Sequence, residues 1–236
     1  MRISLLLAGY GNVARRFVQL LNESKPYLDS ISVTPIVAGI VTRRHGQAFD
    51  EKGLPEEILS CAELPRDSGS GDTNAFLTAA LERLGRDNST IRVVVETTTL
   101  DVQTGEPAIS HVRTAFAAGA HVITANKGPV ALAYRALAGE ARSRGLSFLF
   151  EGAVMDGIPI FNLVRETMPA VTIKGFRGVV NTTTNYLLAA MEAGESFDQA
   201  LARMQADGVA EADPSLDVDG WDAAAKTGAL ANVWLD

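Results

Sequence analysis

Ile3-Ser4-Leu5-Leu6-Leu7-Ala8-Gly9-Tyr10-Gly11-Asn12-Val13-Ala14 decides the fold class of this 236-residue chain. Ile3 to Ala8 is a short, largely apolar run of the kind that forms a buried strand. Beyond the glycines, Val13, Phe17, Leu20 and Leu21 recur at helical spacing. The order is therefore strand, glycine turn, helix, and the turn reads G-x-G-x-x-A. Gly9 permits the tight turn, Gly11 lets a backbone approach a pyrophosphate, and Ala14 is small enough for close helix packing. The free N–H groups at the helix start, on Asn12 and Val13, would then face phosphates. A glycine pattern by itself also fits a purely structural turn. Its place between a buried strand and an amphipathic helix favours a dinucleotide cofactor.

The alternation continues downstream. Val33–Val41, Ile91–Val95, His121–Thr124 and Leu146–Phe150 read as strands, and Asn74–Leu84, a segment opening at Thr104-Gly105-Glu106-Pro107, and Ala131–Ser143 read as helices. Strands separated by helical segments predict a parallel sheet. We expect a Rossmann-type, doubly wound parallel sheet over residues 1–135 and an α+β substrate and dimerisation unit over 136–236, an α/β protein as a whole. In such a sheet a carboxylate near the end of the second strand grips the ribose of NAD. Here the chain reads Thr42-Arg43-Arg44-His45, without an acid. Arg43 or Arg44 can instead pair with a 2′-phosphate, which favours NADP over NAD, although loop arginines are also commonly plain solvated charges. Thr97 to Thr99 follow the strand Ile91–Val95 and are placed, Thr98 foremost, to touch the nicotinamide or its ribose. Residues 63 to 73, rich in Pro, Ser, Gly and Asp, read as a surface loop.

Composition excludes several classes. A net charge of −7 and a pI near 5.0 argue against nucleic acid or an anionic membrane as partner. The single Cys61 cannot form an internal disulfide, and His45, His111 and His121 lack metal-site spacing. The N-terminus runs straight into a strand and no apolar run approaches the ~20 residues of a membrane span, so the expectation is a cytoplasmic protein. In the second half, Val171–Val180 alternates as a strand, Thr183 or Thr184 caps a helix ending at Gly194, and Ser196 with Gln199 opens a capping box for the next.

Glu211-Ala212-Asp213-Pro214-Ser215-Leu216-Asp217-Val218-Asp219-Gly220-Trp221-Asp222-Ala223-Ala224-Ala225-Lys226 carries the densest chemistry. With a helix beginning near Asp219, Asp222 and Lys226 lie four apart on one face in the favourable orientation. Asp219 and Asp222 equally suit a helix cap and first turn without further purpose. Ser215, Asp217, Asp219 and Gly220 fit the first positions of a calcium loop, but Lys226 then stands where the bidentate Glu is needed, and a cation there repels the ion.

Together with Gly178-Val179-Val180-Asn181-Thr182-Thr183-Thr184-Asn185-Tyr186, this stretch resembles the signature region of homoserine dehydrogenases, G-[IV]-x-N-G-T-x-N-Y followed by E-A-D-P-x-x-D-x-x-G-x-D-x-x-x-K. The second motif matches at every fixed position; the first departs at Thr182, where the family has Gly. Ala125-Asn126-Lys127 is similar to the family's A-N-K at the end of its fifth strand, although a strand-end lysine can also simply snorkel to solvent. The resemblance covers nearly the whole chain. It implies NAD(P)-dependent interconversion of L-homoserine and L-aspartate 4-semialdehyde, a step of threonine and methionine biosynthesis, by a homodimer.

Lys226 and Lys127 are the two candidates for moving the proton, either of which can serve depending on direction and burial; we take Lys226 as the principal carrier, held by Asp222, with Lys127 polarising the same oxygen between cofactor and substrate. Glu211 and Asp217 suit the substrate ammonium, and Asn181 and Thr183 line the pocket floor. By the resemblance, Glu151 with the carbonyls of Val154, Asp156 and Ile158 would hold a monovalent cation, Na+ or K+, although relatives carry glycines where this chain has Met155-Asp156. Thr182 and Met155-Asp156 leave open another small hydroxy-amino acid as substrate. After Lys226 ten residues remain, where family members continue. That leaves open a fragment, or a cofactor-binding sensor without turnover.

Overall fold

The computed structural model describes residues 1–61, 64, 71–85, 89–155, 157–210 and 213–235. In chain order the first part comprises β1 (Arg2–Ala8), α1 (Asn12–Glu23), α2 (Lys25–Ser30), β2 (Thr34–Val41), β3 (Gln47–Phe49), α3 (Glu56–Ser60), α4 (Thr73–Arg83), β4 (Thr90–Glu96), α5 (Ala108–Ala117), β5 (His121–Thr124), α6 (Lys127–Ser143) and β6 (Phe148–Leu149). After a 3-10 turn at Glu151–Ala153 the chain is helical: α7 (Ile160–Thr167), α8 (Thr182–Glu192), α9 (Phe197–Ala206), α10 (Ser215–Val218) and α11 (Trp221–Trp234).

The strands form one sheet in the order β3-β2-β1-β4-β5-β6. All pairings are parallel except the β2–β3 hairpin. Parallel strands covered on both faces read as continuous apolar runs, and Leu5, Leu6 and Leu7 of β1 are all buried. One face packs Leu6, Val94 and Val122 against Leu77, Leu81, Val112, Phe116 and Leu137 of α4, α5 and α6. The other packs Leu7, Ile40 and Val95 against Ala14 and Val18 of α1. Ala8 lies level with Val41 and Glu96, and Glu96 with Thr124, so four carboxyl ends share one edge. The chain leaves β1 towards β2 on one side and β4 on the other, which makes the β1/β4 crevice the ligand-binding switch point of an open sheet.

A smaller core joins the second part to the first: Val130 of α6, Ala153, Val154, Phe161 of α7, and Ala229 and Leu230 of α11. Asn232 strengthens this seam by donating to the carbonyls of Val130 and Ala131, at 3.0 and 2.8 Å. Leu187, Ala190, Ala200, Met204 and Ala210 close a further cluster between α8 and α9.

Four local expectations change. Helix α6 begins at Lys127 rather than Ala131, since the first-turn N–H groups have no partner within the helix and so tolerate Gly128 and Pro129. The strand expected over Leu146–Phe150 shrinks to Phe148–Leu149. Residues 171–180 form no ladder with any described residue: Phe176 and Val180 turn towards the Phe161–Leu230 core while Val171 and Val179 stay exposed. Alternation supplied a face but not a partner strand. Finally, α11 starts after Gly220, whose φ of 81° breaks it from α10, so Asp219 ends one helix instead of capping the next. The capping box of Ser196 and Gln199 is present as expected. Most of the loop expected over 63–73 lies outside the described residues. Among the described residues no helix is long and apolar enough to cross a membrane.

Candidate active site

The two glycines of the turn after β1 are required for different reasons. Gly9 has φ +91°, and a Cβ there would sit 2.7 Å from the Thr97 carbonyl oxygen. The β4 end therefore presses on the turn, and Thr97 also donates its hydroxyl to the Gly9 carbonyl at 3.2 Å. A Cβ at Gly11 would meet nothing within 4 Å. Packing does not demand glycine at that position, whereas close approach of a ligand would. Gly11 caps α1 without a side-chain acceptor, and the first turn carries no acid, so its N–H groups and exposed Asn12 and Val13 face outward as an anion-binding helix start does. Arg43 and Arg44 are exposed in the turn joining β2 to β3, where the Thr42 hydroxyl accepts from the His45 N–H at 2.8 Å.

At the β4 and β5 ends, Thr98 directs its hydroxyl and its N–H onto the buried Glu96 carboxylate. Asn126 caps α6: its side-chain oxygen accepts from the Gly128 N–H at 2.9 Å, and its amide donates to the Thr98 carbonyl at 3.1 Å. Lys127, the first residue of that helix, extends across to α11.

There it meets the acidic stretch. Asp222 Oδ1 lies 3.2 Å from Lys127 Nζ, and Oδ2 lies 2.8 Å from Lys226 Nζ. Lys226 also donates to the Val180 carbonyl at 2.9 Å. Asn181 Nδ2 donates to Asp222 Oδ2 at 2.9 Å and to Asp217 Oδ1 at 2.7 Å. The Asn181 side-chain oxygen meanwhile accepts from the Thr184 N–H, so Asn181 and not Thr183 or Thr184 caps α8. Burial would raise the Asp222 carboxyl, but hydrogen bonds from Lys226 and Asn181 and the two ammonium charges outweigh it and hold the group below the usual carboxylate range. One carboxylate thus fixes two lysines from two different helices, each lysine less than a quarter exposed.

Thr183 is buried in the first turn of α8, while Thr182 is exposed at its first position and leaves the Asn181 contacts undisturbed. Glu211 and Asp156 lie outside the described residues. Glu151 accepts from the N–H groups of Phe161 and Asn162 at 2.8 and 3.0 Å and so serves the start of α7. Val154 is buried in the core beside it and Ile158 is half exposed. Among the described residues no group of three or more His, Cys, Asp or Glu is placed to hold a metal ion.

Residues 9–151 match the family model for the homoserine dehydrogenase NAD-binding domain, and residues 159–236 match the model for homoserine dehydrogenase itself. The chain belongs to the homoserine dehydrogenase family. It is 37% identical to the NAD(+)-dependent homoserine dehydrogenase of Pseudomonas canavaninivorans, an alignment covering 98% of this chain and 66% of that protein. It is also 37% identical to the homoserine dehydrogenase of Sulfurisphaera tokodaii, over 99% of this chain and 69% of the other. Among solved structures, a putative homoserine dehydrogenase from Archaeoglobus fulgidus superposes with a TM-score of 0.80 at 26% identity, over 98% of this chain and 68% of that one. A hyperthermophilic archaeal homoserine dehydrogenase in complex with NADPH gives 0.78 at 26%, over 99% and 70%. The chain therefore spans about two thirds of these relatives' length. Family members are NAD(P)-dependent oxidoreductases, and the Rossmann-type fold agrees with that membership.

Within this homoserine dehydrogenase scaffold, sequence reading missed Glu96, Thr124 and Asn126 as parts of the site. A signal was present: Glu96 is an acid ending an apolar strand, and Asn before Lys-Gly-Pro is a helix cap. The Val180 carbonyl that holds Lys226 had no signal, because a backbone acceptor leaves no mark on residue type.

Proposed function

We propose that the protein to which this chain belongs interconverts L-homoserine and L-aspartate 4-semialdehyde with NADP, and that Lys226 moves the proton. The observation that carries this reading is the Asp222 carboxylate, bonded to Lys226 and Lys127 at once and fixed by Asn181. A bound nicotinamide would supply the hydride donor or acceptor. In the oxidising direction Lys226, once it has given up its own proton, takes the hydroxyl proton; in the reducing direction the Lys226 ammonium returns a proton to the developing alkoxide. Lys127, held at the β5 end, places a second positive charge against that oxygen. Asp217, with Glu211, offers fixed negative charge to the substrate ammonium, and Asn181 and Thr183 form the floor beneath it.

The anionic cofactor would lie over Gly9 and Gly11 with its phosphates at the Asn12 and Val13 N–H groups and Thr98 near the nicotinamide end. The choice of NADP rests on Arg43 and Arg44 in a turn without a carboxylate. A homodimer is supported by the family resemblance and by exposed Val171, Val179, Tyr186 and Leu188 in the second part. A monovalent cation at Glu151, Val154, Asp156 and Ile158 rests on resemblance alone.

The test uses the full-length protein, homoserine and each nicotinamide nucleotide, with absorbance of the reduced cofactor as readout. Turnover that vanishes in Lys226→Ala while cofactor binding persists is the expected result. Cofactor binding without turnover in the full-length wild type, or turnover confined to another hydroxy-amino acid, would overturn the reading.

A further inference from the structure

Glu96 is fully buried at the end of β4, at the sheet edge that faces the crevice. A buried carboxylate persists only where donors satisfy it. Oε1 accepts from the Thr98 N–H at 2.9 Å and from the Thr98 hydroxyl, and Oε2 accepts from the Thr124 hydroxyl at 2.9 Å. The His111 imidazole of α5 approaches Oε1 to 3.6 Å, beyond hydrogen-bond range. Because Thr124 gives its one proton to Glu96, its oxygen can only accept on the other side, and it does so from the Asn126 N–H at 3.0 Å. The Asn126 amide returns to the Thr98 carbonyl. The bonds thus close a ring, Glu96 to Thr124 to Asn126 to Thr98 and back to Glu96, and the residue following Asn126 is Lys127.

We propose that Glu96 is a positioning residue that sets Lys127 for catalysis, by fixing the direction of the Thr124 hydroxyl and through it the Asn126 cap. The inference rests on the dehydrogenase reading for its kinetic consequence, but its structural consequence is measurable without turnover. An ionised carboxylate only accepts, and Gln in its place presents an N–H to one of the threonines. Glu96→Gln therefore keeps the shape of the site and reverses one bond of the ring.

The experiment uses the full-length protein in two arms. In the first, the rate at which an amine-selective acylating reagent modifies Lys127 is read by mass spectrometry in wild type, Glu96→Gln and Thr124→Val, with Lys25, a surface lysine, as internal control. The expected result is a rise of about threefold or more at Lys127 alone, with Thr124→Ser restoring the wild-type rate, on the premise that a released amine reacts more freely. In the second arm, Glu96→Gln lowers kcat by about tenfold to a hundredfold with KM for homoserine changed by less than about twofold, as a small misplacement of a reacting group does. In a Lys127→Ala background the same substitution has no further effect on kcat.

Unchanged Lys127 labelling in both Glu96→Gln and Thr124→Val overturns the inference, as does a full, additive loss of kcat in the Lys127→Ala background. If Glu96→Gln does not fold, Thr124→Val and its Ser rescue decide alone. A full-length wild type that lacks turnover yet shows the labelling change defeats the proposed function and leaves the positioning role standing.

Discussion

The two lysines of the site are held by regions built on opposite principles. Lys127 stands on the carboxyl edge of a sheet buried on both faces, behind a closed ring of hydrogen bonds from buried side chains. Lys226 stands on a helix of the second part, held by Asp222, which Asn181 fixes in turn, and by one backbone carbonyl, among small cores and many exposed apolar side chains. The difference teaches that the backbone of Lys127 is set by the sheet scaffold, whereas Lys226 depends on a few contacts around the carboxylate that both amines share. Disturbing the packing of the first should damage stability and cofactor binding together. Disturbing the second should damage chemistry while leaving the fold in place.

The largest separation is expected from Lys226→Ala. Loss of a proton carrier costs about a thousandfold in kcat, with the cofactor dissociation constant and melting temperature near those of wild type; fluorescence titration of the reduced cofactor and calorimetry check this. A matching loss of cofactor affinity would place Lys226 in the scaffold half and erase the contrast. Next comes a pair of glycines with similar φ. Gly9→Ala forces a Cβ onto the Thr97 carbonyl and should destabilise the protein by about 3 kcal/mol, whereas Gly220→Ala, with open space around it, should cost about 1 kcal/mol. Chemical denaturation of the two variants measures the difference, and equal losses would mean that the sheet edge is no stiffer than the α10–α11 break.

Arg43→Ala sharpens the cofactor side: about a tenfold drop in kcat/KM with NADP and little change with NAD is expected from loss of one charged contact. The opposite pattern, or no change with either, would remove the argument for NADP. A smaller effect concerns acid. Because the Asp222 carboxyl sits below its ordinary 3.8, its contribution to stability is fully present above that value and is lost as pH falls through the depressed folded value. Asp222→Asn should therefore flatten the stability profile below about pH 4, as seen in melting temperature against pH, and a profile as steep as wild type would assign the acid sensitivity elsewhere. The smallest change is Asn232→Ala at the seam, expected to cost about 1 kcal/mol.

The same contrast explains what could be read from the sequence. The cofactor half was legible because its constraints are local: an apolar run, two glycines and a helix period fix β1, the turn and α1 within a few residues. The Asp222–Lys226 pair was legible for the same reason, four positions apart on one helix. The Lys127–Asp222 contact is distant in sequence and no spacing rule encodes it; motif resemblance placed both residues near the substrate but did not pair them. Residues 171–180 misled because period two reports a two-faced extended segment, and a ladder needs a neighbour that the segment itself does not specify. Gly128-Pro129 misled at α6 because these residues usually punctuate, yet the first turn of a helix asks for no N–H bonds.

Helices α6 and α11 are sewn together by Asn232 and the shared Val130–Leu230 core, and each carries its functional residue in or near its opening turns. The distance between the two amines is therefore written into how two cylinders rest on each other, and not into the loops that would recognise the rest of a substrate. A lineage, or an engineer, could rewrite those loops to admit a different side chain without moving the two amines to which we assign the proton. Under the proposed function, specificity and chemistry are in that sense separately inheritable traits.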